Sequence, residues 1–414
     1  MRLPFVFIIV LLGISLCVDG YILYDIRSKI TERLRRKVSV LYIISALLCY
    51  ALLFAVMCMP VRKESDGILP VMWILYTYLS IYVSKIVYLV FSIIGRIAGI
   101  YIKRVKRKRK DYIARTGIVI ACLTFMTMWT GVFYTRHHVE TKRVEVFSDR
   151  LPDSFSGYKI VQFSDAHVGT WGTDTTFISR LVDRINSLNP DMIVFTGDLV
   201  NRETKEMEPF LPVLSRLKAK DGVFSILGNH DYGDYIDWKN PSDHRANNLL
   251  MAGWQRQIGW QLLNNERRMI IHGNDTIVLL GVENWGEPPF HQYGKLTDAY
   301  PLNRDSIYNL NDHRFKILLT HNPEHWVREV TKIGNVDLTL SGHTHAMQMM
   351  LSAGDWKWSP SGMRYPTWGG IYKADAKDGT PMNLYVNIGS GEVGMPSRLG
   401  TAYPEITELI LKKK

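Results

Sequence analysis

The sequence predicts an α/β domain preceded by a bundle of about four transmembrane helices. Long apolar runs fill the first third of the 414-residue chain, and short β-rich runs alternate with helix-like segments from about Tyr158 onward. The charge changes between the two parts: residues 1–150 contain 23 Lys and Arg against 9 Asp and Glu, or +14, and the remainder contains 27 against 30, or −3. The soluble part therefore has no positive field of its own, and we expect no nucleic-acid partner.

Four apolar runs are each long enough for a helix to cross the hydrocarbon core of a bilayer, which takes about 20 residues. They cover residues 5–24, 38–59, 68–102 and 117–134. We therefore predict a transmembrane region over 1–135, a linker over 136–154 and the α/β domain over 155–414. The first run could instead be a signal peptide, but its basic flank is only Arg2 and no small-residue cleavage site follows, which favours an uncleaved span.

The basic residues of the connecting loops predict the side of the membrane. The loops over 27–37 and 103–115 are rich in Lys and Arg, whereas the loop over 62–67 has balanced charge. Basic loops stay in the cytoplasm, so with four spans the α/β domain lies outside it. We therefore predict an integral protein of the inner or plasma membrane. Its α/β domain would be extracytoplasmic, and its basic loops would contact membrane lipids.

Lys85, inside the third run, allows two interpretations. A lysine near the end of a span can extend its ammonium group to the interface, which is the interpretation favoured here. The alternative is a functional lysine within the membrane. The runs show little other polar patterning, so a channel or transporter is a weaker hypothesis for the whole protein.

Six segments of the second part share one design, in which four to six apolar and often β-branched residues end in a polar cluster. They are YKIVQFSD, DMIVFTGD, GVFSILGNHD, TIVLLGVEN, FKILLTH and VDLTLSGHTH. Runs this continuous predict strands buried on both faces, and residues 175–188 and 209–218 are predicted to be amphipathic helices. Sites in open α/β sheets lie at the carboxyl ends of strands, where all these polar clusters fall.

The polar clusters supply the side chains that bind transition metals. The candidate ligands are Asp165, His167, Asp198, Asn229, His321, His343 and His345. Mixed imidazole and carboxylate ligands suit Zn, Fe or Mn better than Ca or Mg. A pair of such divalent ions lowers the pKa of a bridging water and clamps a phosphate, and a carboxylate such as Asp198 can bridge the two. Because all four cysteines lie in the first third, a cysteine-based zinc site is excluded from the α/β domain.

The ordered series D-x-H, GD, GNHD, a lone His after a strand and GHTH resembles the calcineurin-like metallophosphoesterases over residues 155–411. More narrowly, GHTHAMQ, LYVNIGSG, MPSR and PEITELIL resemble the membrane-tethered YkuE-type branch. The resemblance implies a four-layer αββα sandwich, in which two β-sheets are flanked by helices. It also implies a metal-dependent phosphoric ester hydrolase with a dinuclear metal centre.

The resemblance further implies a role for each ligand. One metal would be held by Asp165, His167, Asp198 and His345. The other would be held by Asp198, Asn229, His321 and His343, with Asp198 as the bridge. His230 would stabilise the transition state or protonate the leaving oxygen, and Asp231 would orient its ring. Asn201 departs from the family, which often has a second Asp there, and this puts the hydrogen bonding around the ligands in doubt.

Several residues allow both a functional and a structural interpretation. Arg398 either binds phosphate, since a guanidinium grips two oxygens at once, or forms a structural salt bridge. Glu283 and Asn284 end a strand and either line the substrate site or are ordinary surface residues; His291 is undecided.

Three tryptophans, Trp356, Trp358 and Trp368, crowd a late loop. They either pack that loop, the interpretation favoured here, or lie at the membrane surface, which indole rings prefer.

The predicted function is hydrolysis of phosphate mono- or diesters by attack of a metal-bridging hydroxide. We expect a lipid or another membrane-associated substrate because the enzyme is itself anchored in a membrane. The alternative, from a different class, is a non-catalytic membrane sensor that uses the metal or phosphate site for binding. A degenerate site would support the sensor, whereas here every expected ligand and His230 are present.

Overall fold

A computed structural model describes residues 5–59, 68–104, 112–288, 291–300, 312–376 and 379–414, without the side chains of 5–7 and 101–104. The loop predicted at 62–67, and most of the one at 103–115, lie outside these residues. The chain forms two compact units. The helical unit is Met1–Phe133 with Gly394–Ser397, and the sheet unit is Tyr134–Val393 with Arg398–Lys414.

The apolar runs of the helical unit form four helices. These are α1 (Phe5–Lys29), α2 (Glu32–Cys58), α3 (Ile68–Arg104) and α4 (Tyr112–Phe133). A helix satisfies its own backbone hydrogen bonds, which hydrocarbon surroundings require. All four are long and apolar enough to cross a membrane, and the prediction of four apolar helices is confirmed.

Lys85 lies inside the helical unit and not at the end of a span. Its Nζ donates to Oδ1 of Asp19 at 2.8 Å, and only 15 % of the lysine side chain is exposed. The hydroxyls of Tyr42, Tyr50 and Tyr82 donate to the same carboxylate at 2.5, 2.6 and 2.7 Å. The prediction that Lys85 extends to the interface is therefore wrong, because a carboxylate from α1 neutralises the ammonium group between the helices.

A second carboxylate, Asp25, is satisfied in the same way. It accepts hydrogen bonds from Lys29 at 2.8 Å, Tyr88 at 2.5 Å, Ser92 at 3.0 Å and Nε of Arg96 at 3.1 Å. Asp19 lies six residues earlier, about 9 Å along the axis of α1. The expectation that the apolar runs show little polar patterning is corrected. Both Asp19 and Asp25 lie in α1, and each accepts hydrogen bonds from polar side chains of other helices.

The sheet unit contains two six-stranded sheets. The first has the order β1 (Glu140–Ser148), β15 (Glu405–Lys413), β2 (Lys159–Phe163), β3 (Met192–Phe195), β4 (Val223–Ser225) and β5 (Trp260–Leu262). The second has the order β12 (Gly370–Asp375), β13 (Pro381–Val386), β9 (Leu338–Ser341), β8 (Lys316–Leu319), β7 (Asp275–Gly281) and β6 (Glu266–His272). A small third sheet has the order β11 (Trp356–Trp358), β10 (Met349–Ala353) and β14 (Leu399–Gly400).

The two large sheets pack face to face, and helices cover their outer faces. The core between the sheets includes Ile160 and Val194 from one sheet and Leu279 and Leu340 from the other. The described helices of this unit are α5 (Thr176–Ser187), α6 (Leu211–Leu214), α7 (Pro241–Gln257), α8 (Leu296–Ala299) and α9 (Thr331–Ile333). Helices α5 to α7 pack on the first sheet and α8 on the second. The four-layer αββα sandwich is therefore confirmed.

Two sequence predictions differ from these elements. Residues 209–218 form only the short α6 after a 3₁₀ turn over Thr204–Phe210, because Pro209 and Pro212 lack the N–H that a longer helix needs. The segment 136–154, predicted to be a linker, contains β1, which pairs in parallel with β15 from Glu140↔Glu405 to Ser148↔Lys413. Its apolar Val144 and Val146 alternate with charged residues, as expected of a half-buried strand.

Candidate metal centre

The predicted ligands follow parallel strands. Strands β2, β3 and β4 run parallel in one sheet, and β8 and β9 run parallel in the other. Donor atoms of Asp165, His167, Asp198 and His345 form one group, and those of Asp198, His321 and His343 form a second, each within 4.8 Å. The structure thus brings six of the seven predicted ligands together, with Asp198 in both groups.

The loops hold five of these residues in left-handed backbone. The φ angles are 51° at Asp165, 41° at His167, 61° at Asp198, 76° at His343 and 50° at His345. Such angles are uncommon outside glycine, and they cluster at functional sites, where the surrounding structure maintains the strain. The backbone is therefore shaped to direct these side chains, at a cost to stability.

The glycines before three ligands act in two ways. Gly197 has a φ of 93°, which lets the chain turn sharply before Asp198. Gly228 and Gly342 instead permit close approach: a Cβ on Gly228 would lie 2.2 Å from Oδ1 of Asp198, and one on Gly342 would lie 2.3 Å from Oδ2 of Asp165.

Backbone carbonyls orient two of the histidine rings. Nδ1 of His167 donates to the carbonyl of Val200 at 3.1 Å, and Nδ1 of His321 donates to that of Thr196 at 2.8 Å. In the neutral rings, Nε2 then carries a lone pair. Nε2 of His167 lies 3.1 Å from Nε2 of His345. Fixing the outer nitrogen with a hydrogen bond is the usual way in which proteins aim a metal-binding imidazole.

His343 points Nδ1 toward the neighbouring imidazole of His321, whereas His167 and His321 point Nε2 into the cluster. Its Nδ1 lies 3.2 Å from Nε2 of His321, and its Nε2 lies 3.1 Å from the hydroxyl of Tyr365. Tyr365 was not predicted from the sequence, because it lies 22 residues away in the chain and no motif surrounds it.

Asn229 offers an unused oxygen. Its Nδ2 donates to the hydroxyl of Tyr235 at 2.8 Å, which fixes the amide plane. Its Oδ1 is buried and accepts no hydrogen bond from the residues that the structure describes. The next residue, His230, donates its backbone N–H to Oδ1 of Asp198 at 2.8 Å. A buried oxygen without a donor is costly, and a cation would satisfy it.

Burial and neighbouring charges shift the pKa values of several side chains in the cluster. Burial alone would raise the pKa of Asp165, but the imidazoles of His345 and His321 outweigh it and hold that pKa at about 2. Burial would lower the pKa of His321, but the Asp198 carboxylate raises it to about 9. Burial and the neighbouring His321 lower the pKa of His343 to about 3. The Asp198 carboxylate thus favours the protonated form of His321, whereas a bound metal would require the neutral ring.

Asp231 does not orient the ring of His230, and that prediction is corrected. Nδ1 of His230 donates to the carbonyl of Asn201 at 2.6 Å, and the ring packs on Tyr235 with centroids 4.4 Å apart. Both oxygens of Asp231 accept backbone N–H groups at 2.8–3.2 Å, from Asp198, Leu199, Val200 and Gly228. Asp231 therefore fixes the loop that carries Asp198. Asn201 contributes its carbonyl, which any residue there would supply.

Arg398 donates to backbone carbonyls and forms no salt bridge with the carboxylates that the structure describes. Its fully buried guanidinium donates to the carbonyls of Ile388, Gly389, Gly391, Ala402 and Tyr403 at 2.6–3.5 Å. The N–H of Gly391 in turn donates to the carbonyl of Asp165 at 2.7 Å. Both interpretations from the sequence are wrong, because the guanidinium fixes a loop beneath Asp165.

Glu283 and Asn284 are also held by neighbours outside the ligand cluster. Oε2 of Glu283 accepts from Nδ2 of Asn265 at 2.7 Å. The N–H of Asn284 contacts the hydroxyl of Tyr232 at 3.1 Å, and its Nδ2 donates to the carbonyl of His291 at 3.3 Å. Nothing in these contacts supports a substrate role for either residue.

Comparisons with known proteins agree with the fold and the site. Residues 158–347 match the family model described as calcineurin-like phosphoesterase. Residues 1–136 match a probable calcineurin-like phosphoesterase transmembrane domain. The uncharacterised metallophosphoesterase YkuE of Bacillus subtilis is 31 % identical over 295 residues, which cover 69 % of this chain and 92 % of that protein.

Two further relatives come from distant organisms. A bovine transmembrane protein with metallophosphoesterase domain is 28 % identical over 74 % of this chain and 64 % of its own length. A Chlamydia trachomatis protein named UDP-2,3-diacylglucosamine pyrophosphatase LpxG is 26 % identical over 57 % of this chain and 79 % of its own length. With its four apolar helices, the chain is therefore a membrane-associated, metal-dependent phosphoric ester hydrolase and belongs to the calcineurin-like metallophosphoesterases.

Proposed function

We propose that this protein binds two divalent transition-metal ions and hydrolyses phosphate mono- or diesters of a lipid or another membrane-associated substrate. The observation that carries the proposal is the position of Asp198, whose carboxylate belongs to both groups of converging donor atoms.

The side chains present fit such ions. Asp165, His167, Asp198 and His345 would hold one, and Asp198, Asn229, His321 and His343 the other. The lone pairs of the oriented imidazoles and the unused oxygen of Asn229 suit Mn, Fe or Zn. When bound, two such ions supply an activated water and neutralise charge on the phosphoryl oxygens.

His230 would move the proton in this reaction. Because the carbonyl of Asn201 occupies Nδ1, Nε2 is the nitrogen that can meet the substrate. A protonated His230 would then give its Nε2 proton to the leaving oxygen. The carbonyl of Asn201 and the ring of Tyr235 would keep the imidazole in one orientation during the transfer.

Two observations support a substrate at the membrane. The chain carries four helices that can cross a bilayer. A relative is named for a pyrophosphatase of UDP-2,3-diacylglucosamine, a substrate with acyl chains and a diphosphate. Both favour a phosphate ester attached to an apolar group.

The test uses the full-length protein purified in detergent and loaded with Mn, Fe or Zn in turn. We expect hydrolysis of an aryl phosphate monoester or diester that is lost in His343→Ala and retained in His313→Ala, an exposed histidine of the same unit. Metal uptake with no hydrolysis of any phosphate ester, soluble or lipid, would contradict the proposal and favour the membrane sensor.

We further propose that the catalytic domain lies outside the cytoplasm, as the basic loops predict. Asn240 is exposed at the start of α7, so Asn240→Cys offers an accessible thiol. A membrane-impermeant maleimide should label it in intact cells. Labelling only after the cells are opened would place the domain in the cytoplasm.

A further inference from the structure

The small third sheet exposes an apolar surface. Five large apolar side chains within residues 347–363 are exposed, and four of them are Leu351 at 45 %, Trp356 at 58 %, Trp358 at 42 % and Met363 at 88 %. The fifth, Met347, precedes β10. The packing predicted for the tryptophans is therefore confirmed only for Trp368, which is buried.

The strand register places three of these side chains, Leu351, Trp356 and Trp358, on one face. Leu351 of β10 lies opposite Trp358 of β11, and Ala353 lies opposite Trp356. Directly opposed residues of an antiparallel pair point to the same side, and so do residues two apart. Since β11 is the outer strand of its sheet, the two indoles lie at a free edge.

The opposite face of the hairpin fixes it to the sheet unit. Met350 packs in a small core with Ala346, Trp368 and Ile388. Nζ of Lys357 donates to the carbonyl of Gly369 and lies 5.2 Å from the ring centre of Trp368. The apolar face is thus displayed on an anchored element.

The hairpin is continuous with the candidate metal centre. The ligand His345 begins the 3₁₀ turn His345–Gln348, and β10 follows at Met349. Tyr365 packs against the same small core and contacts His343 with its hydroxyl at 3.1 Å. A surface that lies on the apolar face would therefore be close to the phosphate chemistry.

We propose that this apolar hairpin face inserts into the lipid interface and presents a membrane-embedded phosphate ester to the metal centre. Indole rings favour the interfacial region of a bilayer, and an exposed apolar patch of this kind marks a binding surface. The same chain contains four helices that are long and apolar enough to cross a membrane.

The first test is spectroscopic and does not depend on hydrolysis. The four native cysteines, Cys17, Cys49, Cys58 and Cys122, are replaced by serine in the full-length protein, which is reconstituted into phosphatidylcholine liposomes. An environment-sensitive fluorophore is attached to Trp356→Cys or, as the control, to Leu249→Cys, which is 69 % exposed on α7. We expect blue-shifted emission and quenching by bromolipids at position 356 only. Equal, water-like spectra at both positions would overturn the proposal.

The second test is kinetic and rests on the proposed function. In Trp356→Ser/Trp358→Ser, hydrolysis of a phosphate ester embedded in liposomes should fall about tenfold. The reason is that part of the apolar area proposed to bind the bilayer is lost. Hydrolysis of a soluble aryl phosphate should be unchanged, which also shows that the variant is folded. Trp356→Tyr/Trp358→Tyr should restore most of the activity on the embedded ester.

The two tests separate the possible failures. A lipid-exposed fluorophore with no hydrolysis of any ester would leave the hairpin docking intact and refute the proposed function. Equal loss of activity on soluble and embedded esters, or loss on neither, would refute the docking while the phosphoesterase assignment stands.

Discussion

Buried carboxylates occur in both units of the molecule, and the units satisfy them differently. In the helical unit, Asp19 and Asp25 each receive hydrogen bonds from basic side chains and from hydroxyls. In the sheet unit, the partners of Asp165 and Asp198 include imidazoles. Ring nitrogens of these imidazoles lie 3.1 Å apart in the pair His167 and His345 and 3.2 Å apart in the pair His321 and His343. The first arrangement is balanced by the protein's own cations, whereas the second calls for an added one.

The comparison shows how to separate structural from catalytic charges. A carboxylate paired with Lys or Arg between helices specifies how those helices pack. Carboxylates and imidazoles that converge without Lys or Arg, on strained backbone, form a site for metal ions. Substitutions that remove one charged or hydrogen-bonding group at a time test this distinction.

The largest effect should come from Asp198→Asn, which retains the side-chain volume but removes the charge shared by both donor groups. We expect kcat/KM for an aryl phosphate ester to fall by about 10³-fold or more, since metal-assisted charge stabilisation is worth several kcal/mol. The surface variant Asp183→Asn serves as the control. Activity within tenfold of the wild type would show that Asp198 does not bridge a metal pair.

Breaking the pair in the helical unit should affect stability. Lys85→Met leaves Asp19 without its cation, and loss of one partner of a buried pair costs about 3–5 kcal/mol. Thermal unfolding in detergent should show a lower Tm for Lys85→Met, and Asp19→Leu/Lys85→Met should recover part of it. A single variant as stable as the wild type would mean that the pair is not buried.

Arg398→Lys tests the structural role of the guanidinium. Lysine cannot reach five carbonyls at once, so the free energy of unfolding should fall by about 3 kcal/mol, the value of one or two charged hydrogen bonds. The inhibition constant for inorganic phosphate, measured well below the Tm, should not change. A raised inhibition constant at unchanged stability would indicate that Arg398 binds phosphate in the substrate site.

Tyr365→Phe removes the hydroxyl that contacts His343 and nothing else. Loss of a partner that orients a metal ligand typically costs 10- to 100-fold in metal affinity, and we expect a value near the lower end. The measurement is metal-dependent activity titrated against a chelator, with Tyr403→Phe as the control. Equal affinities in the two variants would show that the hydroxyl does not position the imidazole.

The smallest effect concerns the pH dependence at Glu283. Burial raises the pKa of this half-buried carboxyl above its ordinary 4.5, so its stabilising contribution is complete below pH 4.5 and is lost as the pH rises through the raised value. Solvent screening keeps the change below about 1 kcal/mol. Glu283→Gln should flatten this slope of Tm against pH above 4.5 without altering KM. A raised KM would instead support a place in the substrate site.

The sequence predicts which candidate ligands converge because each follows a strand whose apolar run is visible locally. Carboxyl ends of parallel strands meet at one sheet edge, so Asp165, Asp198 and His321 could be placed together before the structure was known. The four apolar helices follow equally directly from the length of their runs.

The remaining features could not be predicted because their partners are backbone groups or residues of other helices. Asp231 accepts N–H groups of residues 30 or more positions away, and Arg398 donates to carbonyls. Neither kind of partner depends on residue type. Asp19 sits alone in an apolar run, and only the packing of α1 with α2 and α3 reveals its role.

The most direct measurement is the metal content of the purified full-length protein after removal of loosely bound ions. We predict about two transition-metal ions per chain, with a clear loss in Asp198→Asn and none in Lys85→Met, which removes only the lysine that pairs with Asp19 in the helical unit. A wild-type protein that retains no transition metal, or an Asp198→Asn variant that retains the full complement, would contradict the assignment of this cluster as a dinuclear centre.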